Sequence, residues 1–456
     1  MSGIKFGTDG WRAVVGKDFN EENVRTVANA IGKYICDNYE KKEILIGYDP
    51  RNMAFEFAQM TAKILADGGF KVLISSKVVP TPVLAYGCKV HNACAIMFTA
   101  SHNPPEYLGM KFIPDFAGPA TSEITDELTS NLGEILSDFE GGKIVEYDFF
   151  DEYFEHLKTL IDFEKIKSVK VIYDGLYSAT IGYFNKILDE YKIPYKSLHL
   201  YHDKNFGGGM PEPKPKYLSD LISQIKNENG YIGVANDGDG DRFGVINERG
   251  EYVTPNEIIA ILLMYLNQNR GLQGSLVKTV GASLLLDKVA QKLGVKVIET
   301  AVGFKHVGAA MREYNPIIGG EESGGLSIQG HIPEKDGILA NLLILEAMAV
   351  KNKSLVELQQ ELYNFAGCKF YNERVDLKLE NQDLVKQYIS KMEEFSNIGQ
   401  YEIIRQDKKD GIKLYLDDNL SWILVRASGT EPLLRIYFES DSVEKIQDLK
   451  NLILNH

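Results

Sequence analysis

Cysteine is scarce, with four in 456 residues. Cys36, Cys88, Cys94 and Cys368 make no C-x-x-C pair and share no zinc-ligand spacing with histidine, which argues against a disulfide framework or a thiol-held metal. Long apolar runs are missing too. The longest, Ile258 to Leu266, falls far short of the roughly 20 residues that a membrane-spanning helix needs. The opening M-S-G-I-K-F-G-T-D-G has no apolar stretch of signal-peptide type. Positive charge is in deficit, with a net charge of −14 and a pI of about 5.2. A general nucleic-acid binder usually carries a basic face, so that class is disfavoured, while a local basic pocket stays open. The expected protein is soluble, cytoplasmic and reduced, with no nucleic-acid or membrane partner.

What is present is globular composition, 44 % hydrophobic and 25 % charged. At roughly 150 residues per domain the chain holds about three domains, large enough to bury cores without staples. Val24, Val27, Ile31 and Ile35 recur at helical spacing behind Asn20, an N-cap residue type. An apolar strand, Ile44 to Tyr48, follows. A helix from about Ala54 to Ala66 then stops at Gly68-Gly69, and strands are expected at Val72 to Ile74 and Ala95 to Thr99. This βαβ rhythm predicts a mainly parallel sheet covered on both faces. It recurs at Val169 to Tyr173, where D-G-L-Y-S is expected to lead into a helix, at Tyr231 to Ala235, and at Leu276 to Val280. I-G-Y-D-P-R, V-I-Y-D-G-L-Y-S and V-K-T-V-G-A-S correspond approximately, as three copies of one α/β unit would. The last stretch differs: K-K-D-G (408–411) and D-D-N (417–419) punctuate alternating segments, as antiparallel hairpins do. The expected divisions are 1–150, 151–252, 253–367 and a small α+β domain over 368–456.

Asp237, Asp239 and Asp241 alternate with Gly238 and Gly240, and Arg242 follows. Alternate carboxylates on an extended loop can face one side, and three anionic oxygens suit a hard cation such as Mg²⁺. An EF-hand would need glycine where Arg242 stands, and the flanks read as strands. Ser101, in T-A-S-H-N-P, follows an apolar strand, a place that suits a nucleophile or phosphate carrier. Taken alone that stretch reads as a capped turn, with His102 a structural hydrogen-bonding side chain. In R-A-S-G-T-E-P-L-L-R, Arg426 and Arg435 bracket Ser428, Gly429 and Thr430, so that guanidinium forks, hydroxyls and backbone N–H groups make an anion nest. It is no P-loop, which ends in Gly-Lys-Ser/Thr. Glu321 and Ser323, in G-G-E-E-S-G-G, suit sugar hydroxyls or a plain surface turn. Gly303 and Lys305, in T-A-V-G-F-K-H, offer a phosphate contact.

No single loop decides the function. Together with F-G-T-D-G-W-R near the start, and in this order, T-A-S-H-N-P, D-G-D-G-D-R, G-E-E-S-G and R-A-S-G-T-E-P resemble the α-D-phosphohexomutase superfamily of phosphoglucomutases, phosphomannomutases and phosphoglucosamine mutases. The resemblance spans the whole chain. It implies three similar α/β domains with mixed, mainly parallel sheets plus a C-terminal α+β domain around a central cleft. It also implies an intramolecular phosphotransferase acting on hexose phosphates, as a monomer or homodimer, with Mg²⁺ and with hexose 1,6-bisphosphate as activator and intermediate. By this resemblance Ser101 carries the phosphate, and Asp237, Asp239 and Asp241 hold Mg²⁺ with it. Arg242 lies beside the phosphoserine; Arg12, Lys111 and His102 join Ser101 in the catalytic set. Glu321 and Ser323 grip ring hydroxyls, and Arg426, Ser428, Gly429, Thr430 and Arg435 hold the non-reacting phosphate. Many relatives carry His where this chain has Gly325; Lys111 ranks first to cover its role, ahead of His331, and Lys335 joins the substrate contacts. G-E-E-S-G-G rather than G-E-Q-S-G-H leans toward glucose, with mannose or glucosamine as the alternative. A Mg²⁺-dependent sugar-phosphate phosphatase is the rival class, but an aspartyl-nucleophile enzyme would need Thr or Val near where Arg242 stands.

Overall fold

The computed structural model describes residues 4–7, 10–137, 141–428 and 432–454. Its first sheet runs Trp11–Val14, Tyr107–Ile113, Cys94–Phe98, Glu43–Tyr48, Lys71–Ser75, Lys143–Tyr147. Glu43–Tyr48 is buried along its whole length and pairs in parallel with Lys71–Ser75 and Cys94–Phe98. Burial on both faces is why it reads as an unbroken apolar run. The expected helix is Glu21–Asn38, capped by Asn20, whose side chain accepts from the Asn23 N–H at 3.0 Å.

The three resembling segments prove equivalent in the sheets. Lys170–Asp174 pairs in parallel with Tyr195–Leu198 and Tyr231–Asn236, and Ser275–Thr279 does so with Lys296–Thr300 and Ile318–Gly320. In each copy the last of these parallel strands then turns back antiparallel. Cys94–Phe98 returns as Tyr107–Ile113, Tyr231–Asn236 as Phe243–Ile246, and Ile318–Gly320 as Leu326–Ile328. The three returns hold Ser101, the Asp237–Asp241 loop and Glu321–Ser323.

One expectation fails locally. D-G-L-Y-S does not open a helix, because Leu176 and Tyr177 take left-handed φ of 42° and 57° and the next helix waits until Phe184–Glu190. Two consecutive left-handed residues cannot start a right-handed helix.

The fourth sheet runs Tyr371–Lys378, Leu433–Ser440, Trp422–Ala427, Ile412–Leu416, Tyr401–Asp407, Asn397–Ile398, antiparallel throughout, with helices Gln382–Glu393 and Val443–Leu454 packed on it. A single apolar cluster joins the first three domains, from Leu45 through Val171 to Leu345, whereas the fourth has its own around Leu414, Ile436 and Leu449. A small patch, Val280 against Tyr415, Trp422, Leu424 and Tyr437, ties the fourth domain to the third. Three bonds reinforce it: Lys413 Nζ to the Val280 carbonyl (2.6 Å), the Leu284 N–H to Glu439 (2.8 Å) and the Val302 N–H to Asp410 (2.9 Å). No described helix is long and apolar enough to cross a membrane.

Candidate active site

Ser101 sits 2 % exposed with φ of 51°, in the left-handed region. Its hydroxyl donates to Asp237 Oδ2 at 2.7 Å and lies 3.2 Å from His102 Nδ1. Its own N–H donates to Thr99 Oγ1 at 2.8 Å, and that hydroxyl donates to Asp49 Oδ2 at 2.7 Å. Arg51 donates to the Ser101 carbonyl from below, at 2.7 Å. Burial pushes the Asp49 carboxyl up to about 6, against the pull of Arg51. Arg12, half-buried, donates to Asn103 Oδ1 at 2.9 Å and so joins this loop. A side chain at position 238 would place its Cβ 2.5 Å from the Ser101 carbonyl, so Gly238 is what lets the metal-type loop close on the serine loop.

Asp237, Asp239 and Asp241 are buried, and each offers an oxygen within 4.8 Å of the others. Burial raises the carboxyl pKa of both Asp237 and Asp239, and the neighbouring carboxylates raise them further. Asp239 Oδ2 accepts from Thr81 Oγ1 at 2.6 Å, while its Oδ1 is buried with no hydrogen-bond partner among the described residues. Three buried carboxylates at this spacing, one with an oxygen left over, fit a divalent cation with oxygen preference. The Arg242 N–H closes the loop on Asp237 Oδ1 at 2.9 Å.

Two buried lysines meet Asp241 from different domains. Lys335 Nζ stands 3.1 Å and Lys111 Nζ 3.4 Å from Asp241 Oδ2, and Lys111 also faces Glu334 Oε2 at 3.3 Å. At position 325 a Cβ would come within 2.3 Å of the Lys335 Cδ. The Lys335 stem thus fills the space that a side chain at 325 would require, and carries an ammonium to the carboxylate cluster. His331 does not share this place. Its side chain is fully buried, with Nε2 2.9 Å from Asp336 Oδ2 and Nδ1 3.0 Å from His156 Nε2, so as placed it has no face for a sugar. Asp336 also caps helix Gly337–Lys351 and accepts from Tyr153, which makes the histidine part of an interdomain hydrogen-bond network.

Glu321 Oε1 accepts from the Gly303 N–H at 3.0 Å, and Ser323 Oγ stands 3.4 Å from Glu321 Oε2. Lys305 reaches across to Ser122 Oγ of the first domain at 3.0 Å. In the fourth sheet Arg426 lies directly opposite Arg435, with Tyr437 beside them and Arg374 a further cation on the same side. Like charges directly opposed destabilise a sheet, and an anion relieves this. Arg426 Nη2 pairs with Asp410 Oδ2 at 2.7 Å, the same oxygen that accepts the Val302 N–H. Its Nε and Nη1 are buried without a hydrogen-bond partner among the described residues. Ser428 is buried at the end of this strand; Gly429 and Thr430 lie outside the described residues.

Asp49, Arg51, Thr81, Glu334, Arg374 and Asp410 escape a reading of the sequence. Only the D-P-R after the strand Glu43–Tyr48 and the K-K-D-G turn give any local signal, the first as part of a repeated α/β segment and the second as a hairpin turn.

Models of the phosphoglucomutase/phosphomannomutase alpha/beta/alpha domains I, II and III match residues 3–138, 151–250 and 254–365, and that of the C-terminal domain matches 376–456. The chain is 32 % identical to a phosphoglucomutase/phosphomannomutase of Thermococcus kodakarensis, over 99 % of this chain and 97 % of that one. It is 30 % identical to a Methanopyrus kandleri protein named as a probable phosphoglucosamine mutase, over 98 % and 96 %. A crystal structure from Thermus thermophilus, assigned by its name to the phosphomannomutases, superposes with a TM-score of 0.89 at 31 % identity, over 99 % and 98 %. With four domain models matched in order along nearly its whole length, the chain belongs to the phosphoglucomutase/phosphomannomutase family of the α-D-phosphohexomutase superfamily.

Proposed function

We propose that this phosphohexomutase interconverts the 1- and 6-phosphates of mannose or glucosamine through a phosphorylated Ser101 and a hexose 1,6-bisphosphate. The supporting observation is the 2.7 Å contact of Ser101 with a buried carboxylate triad that two lysines face. The glucose preference expected from G-E-E-S-G-G is set aside, because the relatives are named for mannose and glucosamine phosphates as well as glucose.

In the proposed reaction a sugar hydroxyl attacks the phosphoryl group on Ser101. The bond from phosphorus to Oγ breaks as the one to the sugar oxygen forms. Lys111, as its neutral amine, takes the sugar proton, while the Lys335 ammonium, Arg242 and Arg12 offset charge on the phosphoryl oxygens. Mg²⁺ held by Asp237, Asp239 and Asp241 would supply further charge neutralisation there. Arg426, Arg435 and Ser428 anchor the other phosphate, with Glu321 and Ser323 on ring hydroxyls. The bisphosphate then turns end for end and returns its other phosphoryl group to Ser101. The narrow attachment of the fourth domain suits closure over the substrate, which excludes water.

The test is kcat/KM on mannose, glucosamine and glucose 1-phosphates, primed with the matching bisphosphate. Mannose or glucosamine should exceed glucose by at least about tenfold, roughly 1.4 kcal/mol of transition-state discrimination. A clear preference for glucose would overturn the substrate assignment but leave the phosphoserine chemistry standing.

A further inference from the structure

The side chain that organises the serine loop comes from another turn. Arg51 follows the buried strand Glu43–Tyr48, in D-P-R, and its side chain is wholly buried. Its Nη2 donates to the carbonyls of Ser101 and Asn103, each at 2.7 Å. Its Nη1 donates to those of Pro104 at 2.7 Å and Tyr107 at 3.1 Å, and its Nε to Asp49 Oδ2 at 3.1 Å. A guanidinium has five N–H donors in a fixed fork, and here five acceptors match them. Three of these acceptors are carbonyls along the loop that joins Cys94–Phe98 to Tyr107–Ile113, and a fourth is the carbonyl of the first residue of the returning strand. Phe206 of the second domain stacks over the guanidinium, 4.9 Å from carbon Cζ to ring centroid.

The loop needs such a hold. Ser101 occupies the left-handed region, which a residue with a Cβ leaves unless its surroundings retain it. Arg51 holds the serine carbonyl. Asp49, which it fixes, holds the Thr99 hydroxyl that in turn holds the serine N–H. Both polar groups of the Ser101 backbone therefore end on the Asp49–Arg51 pair, and only the hydroxyl is left to point at Asp237.

The geometry points to Arg51 as the positioning residue of the phosphate-carrying loop: it sets the direction of the Ser101 Oγ without touching substrate. This rests on Ser101 being the residue phosphorylated. Lysine cannot replace it, since a compact ammonium with three donors does not span four carbonyls in a plane. An error of about 1 Å at a reacting atom costs on the order of 100-fold in rate.

The experiment compares Arg51→Lys and Arg51→Ala with the unchanged protein. It measures kcat, KM, melting temperature and, by intact mass after exposure to hexose 1,6-bisphosphate, phosphate on Ser101. Both variants should keep KM within about threefold and lose about 100-fold in kcat. Added ethylguanidinium should restore part of the Arg51→Ala rate, because it refills the fork, and should leave Arg51→Lys unchanged. Unchanged kcat in Arg51→Lys overturns the proposal. So does a joint fall of activity and folding in both variants without rescue, which would make Arg51 a fold element only. If the unchanged protein acquires no phosphate on Ser101, the phosphoserine reading fails instead, and the two failures are separate.

Discussion

The Ser101 hydroxyl donates to Asp237 Oδ2 at 2.7 Å across the boundary between the first and second domains. Ser101→Ala deletes the hydroxyl proposed to accept the phosphate and keeps the backbone ties to Thr99 and Arg51. Turnover should fall by about 10⁴-fold or more while the circular dichroism spectrum is retained, as expected when a nucleophile is removed from an otherwise intact site. Intact mass spectrometry should show no phosphate uptake from hexose bisphosphate; uptake at the unchanged level would move the acceptor elsewhere.

The pH response of the triad has a definite sign. Burial, then the mutual repulsion of neighbouring carboxylates, raises Asp237 and Asp239 above the ordinary range. In the window above the ordinary carboxylate value of about 4, the folded metal-free chain retains protons that the unfolded chain has released. Metal-free stability should therefore fall as pH rises through that window, and stabilisation by Mg²⁺ should grow as those protons leave. Melting temperatures with Mg²⁺ and with chelator should lie further apart at pH 8 than at pH 6. A gap that narrows with rising pH would contradict the metal site.

Thr81 donates to Asp239 Oδ2 and so restricts which oxygen Asp239 can offer a cation. Thr81→Val keeps the shape and removes the donor. Mn²⁺ or Mg²⁺ affinity, measured by titration calorimetry, should weaken by about 10–100-fold, as outer-sphere contacts to a metal commonly do. Unaltered affinity would reduce Thr81 to a packing residue.

Lys335 and His331 lie four residues apart and should behave oppositely. Lys335→Ala removes a cation from the carboxylate cluster, and kcat should fall by about 10²–10³-fold. His331→Leu disrupts the buried network with Asp336 and His156, so stability should drop by about 1–3 kcal/mol with kcat nearly retained. Chemical denaturation alongside steady-state kinetics separates the two, and a kcat collapse in folded His331→Leu would restore the histidine to the cleft.

Asp410 occupies the guanidinium of Arg426 with a carboxylate, an anion where an anion is expected to bind. Arg426→Ala should raise KM about 10–100-fold, the effect of losing a charge-assisted hydrogen bond worth about 1.5–3 kcal/mol. Asp410→Asn keeps an acceptor for the Val302 N–H and removes the competing charge, so KM should fall. A higher KM in Asp410→Asn would instead make the carboxylate an aid to Arg426.

What can be read in the string is what lies close together in it. Asp237, Asp239 and Asp241 show themselves within five residues, and the strands that underlie the three copies appear as apolar runs because both faces are covered. Ser101 is visible as a loop residue, but its holders are not. Arg51 lies 50 residues before it, and Thr81 meets Asp239 across 158. No local periodicity records such pairings, which arise only when sheets stack. Lys335 and His331 illustrate the same limit: their spacing leaves both as candidates, and the turn before helix Gly337–Lys351 sends one to the carboxylates and the other into the core. Leu176 and Tyr177 carry no glycine to announce their left-handed turn.

Each α/β domain brings one antiparallel return to the cleft, and the links that complete it mostly cross domain boundaries: Ser101 to Asp237, Lys335 to Asp241, Val302 to Asp410. A site assembled this way is a gauge of assembly. Parting one boundary disarms it while nearly all helix and sheet remain, and local opening requires less free energy than global unfolding. Inactivation by heat or mild denaturant should then run ahead of the loss of helical signal. The interval between the two curves would measure how firmly the domains are joined, and the small Val280–Trp422 patch is the seam that sets it.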